Sequence, residues 1–191
     1  FVYRINKMLP DDIAVFEIIP VHAKANAQRD AIKRTYDYFI HFYKDPFLSE
    51  FSALYSLEKM DFEKMKTAAA LLMKYQDYQS FCLSPNTHNS TICQVTEAKL
   101  LLSQNEDRLR FQITSDRFLK GMIRTIVGRL IEIGKGRLSL DELENALQGN
   151  QSLHFNKIAW PQGLHLSKVE YPYLSIPTKS AFFKMLNFLV F

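Results

Sequence analysis

Two groups of residues in this sequence have the types and the spacing to bind a nucleotide. In the first, an arginine and two tyrosines alternate along the chain. In the second, three cations are spaced three and four residues apart. Aromatic rings stack on unpaired bases and cations neutralise phosphates, so both groups suit a nucleotide flipped out of an RNA. The residues are Arg34, Tyr36 and Tyr38 in the first group, and Arg117, Lys120 and Arg124 in the second.

The same residue types also have a simpler structural interpretation. Tyrosines are common as half-buried residues of β-sheets, and cations are common on the solvated face of a helix. On pattern alone the structural interpretation is favoured, and RNA binding is one hypothesis beside it.

Both groups fall on predicted secondary-structure elements. Residues 34–43 are rich in aromatic types, and their period-two spacing places Tyr36 and Tyr38 on the same face of a strand. Residues 118–133 carry a wide apolar stripe at helical spacing with a basic face opposite it, and Gly134 supplies a stop signal. The strand would hold the tyrosines and the helix would hold the cations.

The remaining segments predict the layers around these two elements. Residues 61–73 and 139–147 have helical spacing, and the second segment begins with a capping-box pair, Ser139 and Glu142. Strand patterns occur at residues 13–21, 92–103, 109–114 and 164–171, and the middle two read as a hairpin. The order of elements predicts an α+β fold with a mixed, mainly antiparallel sheet and helices packed on it.

Composition narrows the class of protein further. The 191 residues are 47% apolar with a net charge of +4, which suits an ordinary globular chain and permits a polyanionic partner. The five histidines lack metal-ligand spacing, and no phosphate-binding glycine loop or Gly-x-Ser-x-Gly turn is present, so we expect no metal and no cofactor. Cys82 and Cys93 predict reduced thiols in a cytoplasmic protein. Residues 182–191 are too short to span a bilayer, so we expect no membrane association.

Four segments, in order along the chain, resemble motifs of the TruA family of tRNA pseudouridine synthases. That family has Asn-x-x-Leu-Pro-x-Asp-Ile-x-Val, Arg-x-Tyr-x-Tyr, Arg-Phe-Leu-x-x-Met-Val-Arg-x-Ile-Val-Gly and a terminal Gly-Leu-x-Leu-x-x-Val-x-Tyr-Pro. The matching segments here are residues 6–15, 34–38, 117–128 and 163–172. Together they span the chain from residue 6 to residue 172, and the third motif is quite specific.

The resemblance implies an activity and a role for particular residues. It implies an isomerase that converts uridine to pseudouridine in the anticodon stem-loop of tRNA, that needs no cofactor and that forms a homodimer. By analogy with the family, Tyr36 packs on the target base and Arg124 pairs with the aspartate nucleophile, while Leu164 lines the apolar side of the pocket. In the same way Arg34, Arg117 and Lys120 are expected to bind the RNA.

The sequence also departs from the family. The Gly-Arg-Thr-Asp-x-Gly-Val motif that carries the nucleophile is absent, and Arg29-Asp30-Ala31 echoes only three of its letters. Aligning Leu9-Pro10 with the family places that motif before Phe1. We therefore expect a C-terminal portion of the enzyme that is inactive alone, with residues 1–172 in the catalytic domain and an apolar tail at 173–191 that forms an interface.

Three smaller departures leave other functions open. The chain has His88-Asn89-Ser90 where the family has a basic residue nearby, Asp116 in place of asparagine, and Ala159-Trp160-Pro161 in place of Ala-Pro-Ala. These differences fit a divergent paralogue with altered substrate contacts. The competing hypotheses are a noncatalytic RNA-binding module on the same fold and a domain that serves only assembly.

Overall fold

The structure is a computed structural model that describes residues 1–56, 60–149 and 157–174. Its helices and strands, numbered in chain order, are α1 (Val2–Asn6), β1 (Lys33–His41), β2 (Ala53–Leu54), α2 (Phe62–Leu72), β3 (Val95–Leu102), β4 (Arg108–Ser115), α3 (Met122–Gly134), α4 (Leu140–Leu147) and β5 (Leu164–Glu170). Most of the predicted apolar tail, from residue 175 onward, lies outside the described residues.

The five strands form one sheet in which β1 is central. Strand β1 pairs antiparallel with β4 along one edge, and β3 pairs antiparallel with β4 beyond it. Along its other edge β1 pairs antiparallel with β5 and, at its C-terminal end, parallel with the short strand β2. The predicted α+β fold with a mixed, mainly antiparallel sheet is confirmed.

The hydrophobic core lies between one face of the sheet and the helices. Tyr38, Ile40 and Phe42 are buried in it, with Tyr36, which the sequence places on the same face as Tyr38, packed at its margin. On the opposite face Asp37 is fully buried, because its carboxylate accepts hydrogen bonds from Arg110 Nε at 2.8 Å and from Gln112 Nε2 at 3.0 Å. The alternation predicted for this strand is confirmed.

Helix α3 differs from its prediction in where it begins and in its basic face. Residues 117–120 are loop, and the helix begins at Met122 after Gly121, whose φ of +75° is in the left-handed region that favours glycine. Almost every residue of α3 is buried, including Arg129, whose guanidinium lies 4.0 Å from the centre of the Phe81 ring. Burial lowers the pKa of Arg129 to about 10. A helix surrounded by the core has no solvated basic face.

The strand predicted at residues 13–21 is wrong. This segment belongs to no strand in the part of the chain that the structure describes, and Ile13, Phe16 and Ile18 are exposed. Its apolar, β-branched residues have the right propensity, but a strand also needs a neighbour to pair with. The side chain of Asn6 instead bonds both the N–H and the carbonyl of Val15, each at 2.7 Å.

The other predicted elements are confirmed with small shifts at their ends. The hairpin is β3 and β4, and Asp61 caps the start of α2 by accepting from the Lys64 N–H at 3.0 Å. Helix α4 has the predicted capping box, since Ser139 Oγ accepts from the Glu142 N–H and the Glu142 carboxylate accepts from the Ser139 N–H. Local sequence signals of this kind were sufficient to locate these helices and strands.

Candidate active site

The two tyrosines of β1 have different surroundings. Tyr38 is fully buried, and its hydroxyl donates to the Trp160 carbonyl at 2.6 Å. Tyr36 is half-buried, and its ring forms a T-shaped pair with the Phe118 ring, at 5.2 Å between centroids and 83° between planes. In residues 1–56, 60–149 and 157–174 no group bonds the Tyr36 hydroxyl. Tyr38 is therefore part of the framework, while the Tyr36 hydroxyl has no hydrogen-bond partner among the described residues.

Arg124 lies in the first turn of α3 and is held by the segment before β5. Its Nε donates to the Ala159 carbonyl at 2.7 Å, and the Ala159 N–H donates to the Arg124 carbonyl at 3.0 Å. Within the described ranges no carboxylate forms an ion pair with Arg124. The bond through Nε fixes the plane of the guanidinium and leaves its two terminal nitrogens for another partner, which suits pairing with a carboxylate.

The charge of Arg124 acts on the buried tyrosine. Burial raises the pKa of Tyr38 well above its usual range, the neighbouring phenol of Tyr55 raises it further, and the positive charge of Arg124 opposes both. Tyr38 thus stays a neutral hydrogen-bond donor, as its bond to the Trp160 carbonyl requires. Tyr38 and Arg124 bind successive carbonyls, those of Trp160 and Ala159, so their side chains lie close together.

Gly128 allows residues 157–159 to lie directly on α3. A Cβ at this position would come closer than 3.0 Å to the Lys157 carbonyl oxygen, 3.1 Å from its carbon and 3.4 Å from the Ala159 nitrogen. Only glycine permits this approach of one backbone to another. The glycine that ends the third motif therefore positions the carbonyl to which Arg124 binds.

Leu164 begins β5 and pairs in register with Tyr38, whereas Tyr36 pairs with Leu166. Leu164 is half-buried against the core. Its neighbour Gly163 lies tightly on β1, since a Cβ there would be 2.5 Å from the Phe39 carbonyl oxygen. Leu164 thus lies beside the framework tyrosine, two pairs along the strands from the pair of Tyr36 and Leu166, and its contact with a substrate stays a prediction.

The three cations predicted to bind RNA lie on β1 and in the loop before α3. Arg117 and Lys120 lie in the loop before α3, half-buried and exposed respectively. The guanidinium of Arg34 donates to three backbone carbonyls, those of Gln28 at 2.7 Å, Asp116 at 3.2 Å and Ala31 at 3.4 Å. Arg34 therefore ties two loops together in this structure, and RNA contacts by all three cations stay predictions.

Two residues of the site were not singled out from the sequence. Phe118 supports the Tyr36 ring, and its signal was its place inside the third motif, directly after Arg117. Tyr55 accepts a hydrogen bond from the Trp160 N–H at 3.1 Å, and it had no sequence signal, because it is far from Trp160 along the chain.

Asp116 organises the loop before α3 by accepting from the N–H groups of Gln94 and Arg117, each at 2.7 Å.

The described part of the chain contains neither a cluster of metal-binding side chains nor a membrane-spanning helix. Among residues 1–56, 60–149 and 157–174 there is no group of three histidine, cysteine or acidic side chains that could hold a metal ion. Over the same described residues, no helix has both the length and the apolar character needed to cross a membrane.

Comparison with known proteins decides the family. The sequence model of the tRNA pseudouridine synthase family matches residues 68–172, which is more than half of the chain. The chain belongs to this family. The matched range includes Arg117, Arg124 and Leu164, and it begins after Tyr36.

Individual members of the tRNA pseudouridine synthase family agree with this assignment. A protein of Porphyromonas gingivalis is 39% identical over 169 residues, which are 88% of this chain and 67% of that protein. A protein of Parabacteroides distasonis is 37% identical over 170 residues, 88% of this chain and 66% of that protein. A protein of Acetivibrio thermocellus is 31% identical over 173 residues, 90% of this chain and 70% of that protein. All three are named tRNA pseudouridine synthase A, and the chain spans about two thirds of their length.

Proposed function

We propose that this chain is the substrate-holding part of a tRNA pseudouridine synthase, an isomerase that converts uridine to pseudouridine in the anticodon stem-loop. The observation that carries the proposal is the state of Arg124, whose Nε is held by the Ala159 carbonyl while no carboxylate among the described residues pairs with it. An arginine so placed is ready to pair with a nucleophilic aspartate. The names of the relatives support tRNA as the substrate.

The proposed chemistry divides between a holding half and an attacking half. Tyr36 packs on the flipped uracil, with Phe118 supporting its ring from the edge. Arg124 keeps the aspartate ionised and oriented, which favours its nucleophilic form. The glycosidic bond breaks, the base turns and a bond forms between the ribose and carbon 5 of the base. The Tyr36 phenol accepts or relays the proton that leaves carbon 5, and the nitrogen released from the ribose takes up a proton. No cofactor takes part.

The 191 residues contain no Gly-Arg-Thr-Asp-x-Gly-Val motif, so we propose that this chain alone binds tRNA and does not modify it. The purified chain should form no pseudouridine in a tRNA transcript, as measured by nucleoside mass spectrometry after digestion. Pseudouridine above the level of a protein-free control would contradict the proposal that this chain alone lacks the nucleophile. The same absence favours the second candidate, a noncatalytic RNA-binding module, which predicts the same null result for any longer form of the protein.

The roles of the two tyrosines can be separated by removing one hydroxyl at a time. Tyr38→Phe should lower the free energy of unfolding by about 1 kcal/mol, because the Trp160 carbonyl loses its donor. Tyr36→Phe should leave stability unchanged, because no described group bonds its hydroxyl. Urea titration of both variants is the measurement, and equal losses would show that Tyr36 is a framework residue as well.

Binding of the anticodon stem-loop tests the site directly. Tyr36→Leu should weaken binding of a fluorescein-labelled stem-loop by roughly 5- to 150-fold, since a base stacked on an aromatic ring contributes about 1–3 kcal/mol. Tyr3→Leu removes an exposed tyrosine of α1 and is the matched control, with no change expected. Unchanged binding by Tyr36→Leu would remove Tyr36 from the site.

Assembly and location complete the proposal. The family resemblance supports a homodimer, and analytical ultracentrifugation of the purified chain tests it, since a monomer across the working concentrations would contradict it. The two free thiols of Cys82 and Cys93 support a cytoplasmic setting. Microscopy of the tagged protein in its own cells tests that location.

A further inference from the structure

The only tryptophan of the chain, Trp160, is exposed beside the candidate active site. Trp160 is 60% exposed, while its neighbour Ala159 is 1% exposed. It stands where the sequence departs from the family motif, with Ala159-Trp160-Pro161 in place of Ala-Pro-Ala. The roles proposed for Tyr36 and Arg124 do not explain why a large aromatic residue is exposed here.

The backbone of Trp160 is held by two hydrogen bonds, although its side chain is exposed. Its N–H donates to the Tyr55 hydroxyl at 3.1 Å, and its carbonyl accepts from the Tyr38 hydroxyl at 2.6 Å. The preceding carbonyl, that of Ala159, accepts from Arg124 Nε. Pro161 follows and restricts the chain on the other side. A fixed backbone reduces the entropy lost when the exposed indole binds a ligand.

Two cavities share Trp160 as part of their wall. One has a volume of about 310 Å³ and is also lined by Leu54 and Gln162. The other has a volume of about 200 Å³ and is also lined by Lys157, whose ammonium lies 3.5 Å from the Glu132 carboxylate. An aromatic side chain, an apolar side chain and an amide that both donates and accepts suit a nucleobase.

We infer that Trp160 is a stacking platform for an unpaired RNA base that flanks the nucleotide held at Tyr36 and Arg124. This inference rests on the proposed function, because it assigns a second contact to the same RNA. The connection between the two contacts is short, since Ala159 binds Arg124 and the next residue presents the indole. Because every base has a flat face that can stack, the contact would add affinity for an unpaired loop and would tolerate different bases there.

The fluorescence of the chain reports this contact without a label, because Trp160 is its only tryptophan. The purified 191-residue chain is titrated with an anticodon stem-loop transcript, and with a fully paired RNA duplex of equal length as the control ligand. Stacking of a base on the indole should quench its emission with the stem-loop and leave it unchanged with the duplex, whose bases are already stacked. Binding is measured in parallel by anisotropy of fluorescein-labelled copies of both RNAs.

Substitution gives the second readout. Trp160→Ala should weaken stem-loop binding roughly 5- to 150-fold, and Trp160→Phe should weaken it less, since the smaller ring still stacks. Fold integrity is not at risk, because every described hydrogen bond of Trp160 uses its backbone. Phe16→Ala is the matched control, since Phe16 is also 60% exposed and lies in the N-terminal segment.

The outcomes separate this inference from the function on which it rests. Stem-loop binding with unchanged indole emission and unchanged affinity of Trp160→Ala would overturn the stacking platform and leave the proposed function standing. Absence of stem-loop binding by the wild-type chain would overturn both. An emission change that follows protein concentration without RNA would assign Trp160 to a contact between copies of the chain and would also overturn the inference.

Discussion

Replacing Gly128 with alanine should destabilise the chain, although alanine is the better helix former. Gly128 lies within α3, where the substitution would ordinarily add about 1 kcal/mol of stability through helix propensity. The new Cβ, however, would come closer than 3.0 Å to the Lys157 carbonyl oxygen, an atom of the backbone that cannot rotate away. Residues 157–159 must therefore move off the helix.

That movement breaks the two hydrogen bonds between Arg124 and Ala159. The bond from the Ala159 N–H to the Arg124 carbonyl, 3.0 Å long, contributes about 1 kcal/mol. The bond from Arg124 Nε to the Ala159 carbonyl, 2.7 Å long, has a charged donor and contributes about 1.5–3 kcal/mol. After the gain in helix propensity of about 1 kcal/mol, the expected net loss is about 1.5–3 kcal/mol.

Urea titration of the purified chain, followed by circular dichroism, measures this loss as a change in the free energy of unfolding. Gly134→Ala is the matched control in the same helix. Its new Cβ would meet the Met65 sulfur at 2.5 Å and the Met60 sulfur at 3.0 Å, and these flexible thioether chains can move aside. We expect Gly134→Ala within about 1 kcal/mol of wild type. A Gly128→Ala variant as stable as wild type would refute the reasoning.

Three other predictions test the surroundings of the site. Asp37→Asn should lower the free energy of unfolding by about 3 kcal/mol, because it removes the buried charge that faces the Arg110 guanidinium at 2.8 Å. Urea titration measures this loss, and a variant as stable as wild type would contradict the prediction. Burial lowers the pKa of His41 below its ordinary 6.5, so its stabilising contribution is present above that value and is lost as the pH falls through the lowered folded-state pKa. Between about pH 7 and pH 5 wild type should therefore lose stability more steeply than His41→Gln, and parallel profiles would exclude this source. Burial raises the pKa of the Cys93 thiol to about 11, so iodoacetamide at about pH 8 should modify the half-buried Cys82 and spare Cys93; equal labelling by peptide mass mapping would show that the core opens.

Sequence reasoning succeeded where the signal is local. The capping box of α4 needs only Ser139 and Glu142, three residues apart, and the structure has both of its hydrogen bonds. The alternation in β1 follows from the pleat, which fixes the side of each residue whatever the partner strand, so the shared face of Tyr36 and Tyr38 was predictable. The fold class followed from the order of such elements.

It failed where a partner distant in sequence decides the outcome. The propensity of residues 13–21 favoured a strand, but pairing is a property of two segments, and no described segment pairs with this one. The start of α3 was placed too early, because the left-handed backbone of Gly121 separates Arg117 and Lys120 from the helix. Spacing along a chain describes a helical face only where the helix exists.

The sequence by itself determined the family, through four ordered motifs, and with it the candidate roles of Tyr36 and Arg124. Only the tertiary structure decided how those residues differ from their neighbours. It showed that Tyr38 is locked to the Trp160 carbonyl while Tyr36 is not, and that Arg34 is occupied by three backbone carbonyls. The physical reason is that hydrogen-bond partners are set by distances in space, which residue types and spacing along the chain do not contain.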